Sequence, residues 1–123
     1  MQKRKFVRLS MILLAVLCFS SCEYDVIEED PIVIPPTQEI SFANDILPIF
    51  TSNCVACHNG SNNPDFRPDN AYNSLIDGDY INIDSPENSE IYQKLQSDPH
   101  STRASSAQKQ LILEWITRGA KND

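Results

Sequence analysis

The residues of this chain best suited to chemistry stand together in Cys54-Val55-Ala56-Cys57-His58. Cysteines three apart lie on one side of a helical turn. Both sulfurs can then reach the two vinyl groups on one edge of a porphyrin, and the adjacent His58 can turn its imidazole to the iron. C-x-x-C-H is accordingly the attachment signature of a covalent c-type haem, with Cys54 and Cys57 forming the thioethers and His58 the proximal ligand. Two other chemistries share these letters. A dithiol redox pair also uses C-x-x-C, but in a fold that needs a strand before the motif and a larger βαβ frame. A structural zinc ion needs four ligands, and Cys54, Cys57, His58 and His100 total four, although adjacent Cys57 and His58 would be strained in closing one tetrahedron. Haem is the leading expectation, with zinc and dithiol open beside it.

The N-terminus points to export. Lys3, Arg4, Lys5 and Arg8 precede an apolar run from Leu9 to Phe19, broken only by Ser10. A basic n-region and a short apolar stretch form a secretory signal, and the run falls well short of the ~20 residues of a spanning helix. It ends in LCFSSC, residues 17–22, where small Ser20 and Ser21 before Cys22 resemble a lipobox of bacterial lipoproteins. The resemblance implies a signal over residues 1–21 and a mature chain beginning with acylated Cys22. Phe19 departs from the usual aliphatic residue, and an ordinary soluble export signal cut nearby is the alternative. The expected location is the cell envelope, lipid-anchored to a bacterial membrane and facing the periplasm or the cell surface.

Export sharpens the cysteine arithmetic. Of four cysteines, Cys18 leaves with the signal and Cys22 takes lipid, so Cys54 and Cys57 are the remaining pair. Exported domains usually spend such a pair on a disulfide, but here a histidine follows directly. Charge changes as well. Four of the ten basic residues leave and all seventeen acidic ones stay, so six against seventeen leaves a net charge of −11. Such a surface repels phosphate backbones, which argues against nucleic acid; basic partners are better matched.

Residues 22–40 hold the lipidated cysteine and an acidic linker with Pro31, Pro35 and Pro36, which read as an extended tether reaching roughly 60 Å at most. Glu28, Glu29 and Asp30 resemble a surface-export signal of some bacterial lipoproteins, and serve equally as a solvated spacer. Residues 41–123 are the expected folded domain. Four helical segments are legible there. FANDILPIFTSN leads into the motif, with Asn44 or Asp45 as its cap because Pro48 delays the regular helix. DNAYNSLI is capped by Asp69 and ended by Gly78. A third helix has Ser85 as cap, Pro86 first, and Ile91, Tyr92 and Leu95 as its stripe. In SAQKQLILEWITRG, Leu111, Ile112, Trp115 and Ile116 repeat at helical spacing before Gly119. Tyr80 to Ile83 is at most a short extended piece. The class is all-α, and a domain of this size gains from a buried cofactor as a staple.

Residues 41–123 resemble a class I cytochrome c domain, a small helical fold around one haem. The resemblance places Phe50 as the aromatic one turn before the first cysteine. It makes Pro64 the proline whose carbonyl accepts from the proximal imidazole, and sets Phe66 where an aliphatic haem contact usually stands. The ending LILEWITRGAKND is similar to the family's last helix, which implies that Ile112 and Trp115 meet Ile46 and Phe50, with Trp115 at the haem. The family's usual sixth ligand is methionine. This chain has only Met1 and Met11, both in the signal, while the corresponding loop SDPHSTRASS holds His100, the expected sixth ligand. The implied function is single-electron transfer with redox partner proteins of the envelope. A small-ligand sensor or weak peroxidase with an open distal position is the alternative, and a haem-stabilised interaction domain a third. No acid, base or nucleophile constellation accompanies the motif, so a hydrolase is disfavoured.

Overall fold

Pro48 decides how the first helix begins. Lacking an N–H, it is accommodated in the opening turn of α1 (Leu47–Asn53). The preceding residues Phe42–Ile46 form a wider π-helical turn. The cap is Ser41, not the expected Asn44 or Asp45. Its Oγ accepts from the Asn44 N–H at 3.2 Å, while the Asp45 carboxylate reaches back to accept from the Ser41 N–H at 2.8 Å. The orphan donors of that first turn also find the far end of the chain. Asp123 accepts from the Ala43 N–H through its carbonyl and from the Phe42 N–H through its carboxylate, both at 2.9 Å.

The computed structural model describes residues 32–123. The signal, Cys22 and the acidic run at 28–30 lie outside the described residues. Among those described there are four α-helices and no strand, which agrees with the all-α expectation. After α1 come α2 (Ala71–Asp77), a 3-10 turn (Pro86–Asn88), α3 (Glu90–Gln96) and α4 (Ser106–Thr117).

Two starts differ from the sequence reading. Asp69 does not cap α2. The Arg67 carbonyl accepts from the Asn70 and Ala71 N–H groups at 2.9 Å each, so a backbone turn launches the helix. Its end is at Gly78, as expected, where a Cβ would run into the Tyr80 ring. The third helix is split. Ser85 and Pro86 open only the 3-10 turn, because buried Ser89 is pinned to Asn82, accepting from its N–H at 2.9 Å and donating to its carbonyl at 3.3 Å. That extended residue interrupts the winding, and α3 starts after it.

The last helix follows its pattern closely. Ser105 and Gln108 form a reciprocal capping box, and Gly119 leaves the helix at φ +93. Ile112, Trp115 and Ile116 are buried in one core with Phe42, Ile46, Phe50, Ile91 and Leu95. Within it α4 packs on the π-helical turn. Trp115 lies 5.3 Å from the Phe42 ring, and its indole N–H donates to the Lys121 carbonyl at 2.9 Å.

Residues 34–40 are not an open tether. Ile40 is buried, Ile34 packs against the core, and a turn brings the Gln38 N–H to the Pro35 carbonyl at 3.0 Å. Arg118, paired with Glu114 at 2.8 Å, donates to the carbonyls of Pro35 and Gln38. The apolar side chains and these backbone acceptors hold the segment to the end of α4.

Candidate functional site

The helical ladder of α1 carries directly into the motif. The Cys54 N–H donates to the Phe50 carbonyl at 2.9 Å, and the Cys54 carbonyl accepts from Cys57 at 3.1 Å and His58 at 3.0 Å. Five residues thus close one helical turn with half-buried Cys54 and exposed Cys57 as free thiols. The chain then loops out and returns. The Phe66 N–H donates to the His58 carbonyl at 2.8 Å, and Asn62 Nδ2 to the Cys57 carbonyl at 3.0 Å.

That return places the buried Pro64 carbonyl 3.1 Å from His58 Nδ1. A carbonyl only accepts, so this bond requires the proton on Nδ1 and leaves the lone pair on Nε2. A backbone carbonyl on the far nitrogen is the usual support of a metal-ligating imidazole, fixing both tautomer and ring orientation. Beyond Pro64, Asp65 is clamped by Arg67 at 2.6 Å and Asn70 at 2.8 Å, while its N–H donates to Ser74 Oγ at 2.7 Å. The Arg67 bonds hold the Asp65 carboxyl well below the usual carboxylate range.

Phe66 presses its ring edge-to-face on His58 at 5.4 Å and stacks on Phe50 at 4.4 Å. Cys54, Cys57, His58, Pro64 and Phe66 line a cavity of about 410 Å³. Ile91 and Leu95 of α3 add apolar wall, and His100 enters from the loop between α3 and α4. The ring centres of His58 and His100 are 6.2 Å apart, with planes inclined by 48°.

A metal bonds an imidazole nitrogen at about 2.0–2.1 Å, so two imidazoles on opposite sides of one ion put their ring centres about 6.4 Å apart, and two in a tetrahedron about 5.2 Å. The observed 6.2 Å puts both imidazoles within reach of one ion. Among the described residues, no cluster of three or more His, Cys, Asp or Glu converges as a metal site of side chains alone. The dithiol alternative finds equally little here. Burial pushes the Cys54 thiol up, the Arg103 guanidinium offsets this, and Cys57 adds to the rise. Reactive C-x-x-C pairs depend on the opposite shift, and among the described residues no strand precedes the motif.

Two of the candidate contacts stand off the cavity wall. Phe50 is fully buried behind Phe66, and Trp115 lies in the core against Phe42. The wall includes residues that sequence reasoning passed over: Tyr80, Glu90, Lys94, Pro99 and Arg103. Signals for them existed. Glu90 and Lys94 flank the apolar stripe of α3 at helical spacing, and Arg103 closes a turn with His100, its N–H on the His100 carbonyl at 2.9 Å. No family model, curated protein or solved structure matches the chain.

Proposed function

We propose that this chain is a lipid-anchored c-type cytochrome of a bacterial cell envelope, carrying one covalent haem and passing single electrons between redox partner proteins. The observation that carries this reading is the pair of imidazoles at one cavity beside the two motif cysteines. His58 is held through Nδ1 by the Pro64 carbonyl at 3.1 Å, and the His100 ring lies 6.2 Å from it at a cavity that both motif cysteines also line. Haem, when bound, supplies reversible one-electron chemistry. Cys54 and Cys57 would hold it by thioether bonds and keep it from diffusing away outside the cytoplasm. His58 and His100 would hold its iron. Pro64 keeps the His58 proton on Nδ1, and Phe66, Ile91 and Leu95 would give the group an apolar wall, which bears on its potential. An acylated Cys22 would keep the domain beside membrane-bound donors.

A second reading, a small-ligand sensor or weak peroxidase, draws on Arg103. Its guanidinium belongs to a cavity-lining residue on the same turn as His100, where a cation would favour an anionic ligand if the histidine left. Coordination separates the two. Iron filled by two imidazoles favours electron transfer, and an open sixth position favours the sensor.

The deciding experiment is haem staining after denaturing electrophoresis, using protein from cells competent in cytochrome c maturation. The polypeptide should keep its colour, and a Cys54→Ala/Cys57→Ala variant should lose it; a colourless wild type ends the proposal. The anchor has its own test. A fatty-acid analogue fed to the cells should label the wild type and spare Cys22→Ala, and equal labelling removes the anchor.

A further inference from the structure

The loop between α3 and α4 is bound mostly to itself. The His100 N–H donates to the Ser97 carbonyl and the Arg103 N–H to the His100 carbonyl, both at 2.9 Å, and Ser101 Oγ donates to the Asp98 carboxylate. Among the described residues, one hydrogen bond joins residues 98–103 to another element: Lys109 Nζ donates to the Ser101 carbonyl at 2.7 Å. That carbonyl belongs to the residue next to His100.

Lys109 is an unexpected residue at its place in α4. It stands in the opening turn, where the helix dipole disfavours a cation. Its ammonium reaches back to the loop instead. The base it springs from is firm. Ser105 and Gln108 lock the start of α4, and Gln108 also accepts from Asn53 Nδ2 at 3.4 Å, at the end of α1 beside Cys54. The lysine thus connects the loop to a helix braced against the attachment side.

We propose that Lys109 is a positioning residue, a strut that holds the His100 loop so that the imidazole stays opposite His58. This rests on His100 being the sixth ligand. A half-buried bond from a charged donor is one of the stronger hydrogen bonds a loop can have, so its loss should favour the state in which His100 has left the iron.

The test uses the full-length holoprotein and carbon monoxide binding to the ferrous form, which His100 must vacate. Wild type should be low-spin and bind slowly. Lys109→Met keeps the stem and removes the ammonium, and should raise the association rate about tenfold, while Lys109→Arg should stay near wild type. In a His100→Ala background, Lys109→Met should add nothing, because the ligand it positions is gone. A low-spin wild type with an unchanged rate in Lys109→Met overturns the strut and leaves His100 ligation standing. An equal rise in the His100→Ala background also overturns it, since the lysine would then govern access alone. A wild type that is already high-spin and binds rapidly overturns His100 ligation, and the strut with it. Should Lys109→Met fail to accumulate, Lys109→Gln removes the charge and faces the same outcomes.

Discussion

The two histidine-bearing walls of the cavity are built in opposite ways. His58 ends a closed helical turn, its Nδ1 is taken by Pro64, its ring is pressed by Phe66, and Asp65 and Arg67 clamp the chain just beyond. His100 rides on a loop whose hydrogen bonds are mostly internal and whose link to another element is a single lysine. One wall is fixed by many short-range contacts, so its imidazole arrives oriented. The other depends on a loop with few bonds to the rest of the fold. A haem protein made this way would have an invariant proximal side and an adjustable distal one.

The largest effect that could break this comparison is at His100. Under the proposed reading, wild-type ferric iron is low-spin and lacks the weak red-edge band of methionine coordination. Its potential should lie below that of methionine–histidine cytochromes, because a thioether raises it. His100→Ala should turn the iron high-spin and open the ferrous form to carbon monoxide, and any loss of stability should be that of the iron bond, since the residue lies outside the apolar core. A high-spin wild type unaffected by the substitution would make the histidine a bystander and favour the sensor.

On the proximal side the corresponding loss is one of stability. Phe66 is 2 % exposed and stacked on Phe50 at 4.4 Å. Phe66→Ala should cost about 3–5 kcal/mol, a large share of a small domain's margin, and Phe66→Leu clearly less. Denaturant unfolding of the holoprotein, followed by circular dichroism, measures it. A loss no greater than that of His100→Ala would mean that the two walls are equally dispensable to the fold.

How much of this was legible depended on how far the physical cause lay along the chain. The motif turn, the stripe of α4 and the loop position of His100 rest on neighbours a few residues apart and appear as expected, and the Pro64 carbonyl, which only the resemblance implied, lies 3.1 Å from His58 Nδ1. The true start of the first helix was hidden because Asp123, at the other end of the chain, supplies partners for its orphan donors. Ser89 broke the third helix through Asn82, a loop residue with no pattern of its own. Residues 34–40 read as tether because their prolines are visible in the sequence, whereas Arg118, which binds their carbonyls, is some eighty positions away. Trp115 was placed at the haem by resemblance, and its core neighbours Phe42 and Tyr72 follow only from the packing of α4.

The smallest expected effect tests whether the proximal clamp works through charge. Asp65 accepts from Arg67 Nη2 at 2.6 Å and Asn70 Nδ2 at 2.8 Å, and the Arg67 bonds hold its carboxyl well below the usual range. In the unfolded chain it returns to about 3.9. A carboxyl with a lowered folded pKa stabilises the fold above its unfolded value and loses that contribution as pH falls below it. The Arg67 side chain is 53 % exposed, so water and salt screen the pair and the effect is small. Asp65→Asn should therefore lower the melting temperature slightly near neutral pH, with the gap to wild type closing below about pH 4. The spectrum should not change, because Pro64 meets His58 through its backbone and the Asp65 N–H still donates to Ser74 Oγ at 2.7 Å. A gap that persists unchanged into acid would show that the clamp acts through shape and hydrogen bonds that the asparagine also loses. A shift in the spectrum would show that the fixed wall depends on this one carboxylate, and the contrast between the two histidines would shrink accordingly.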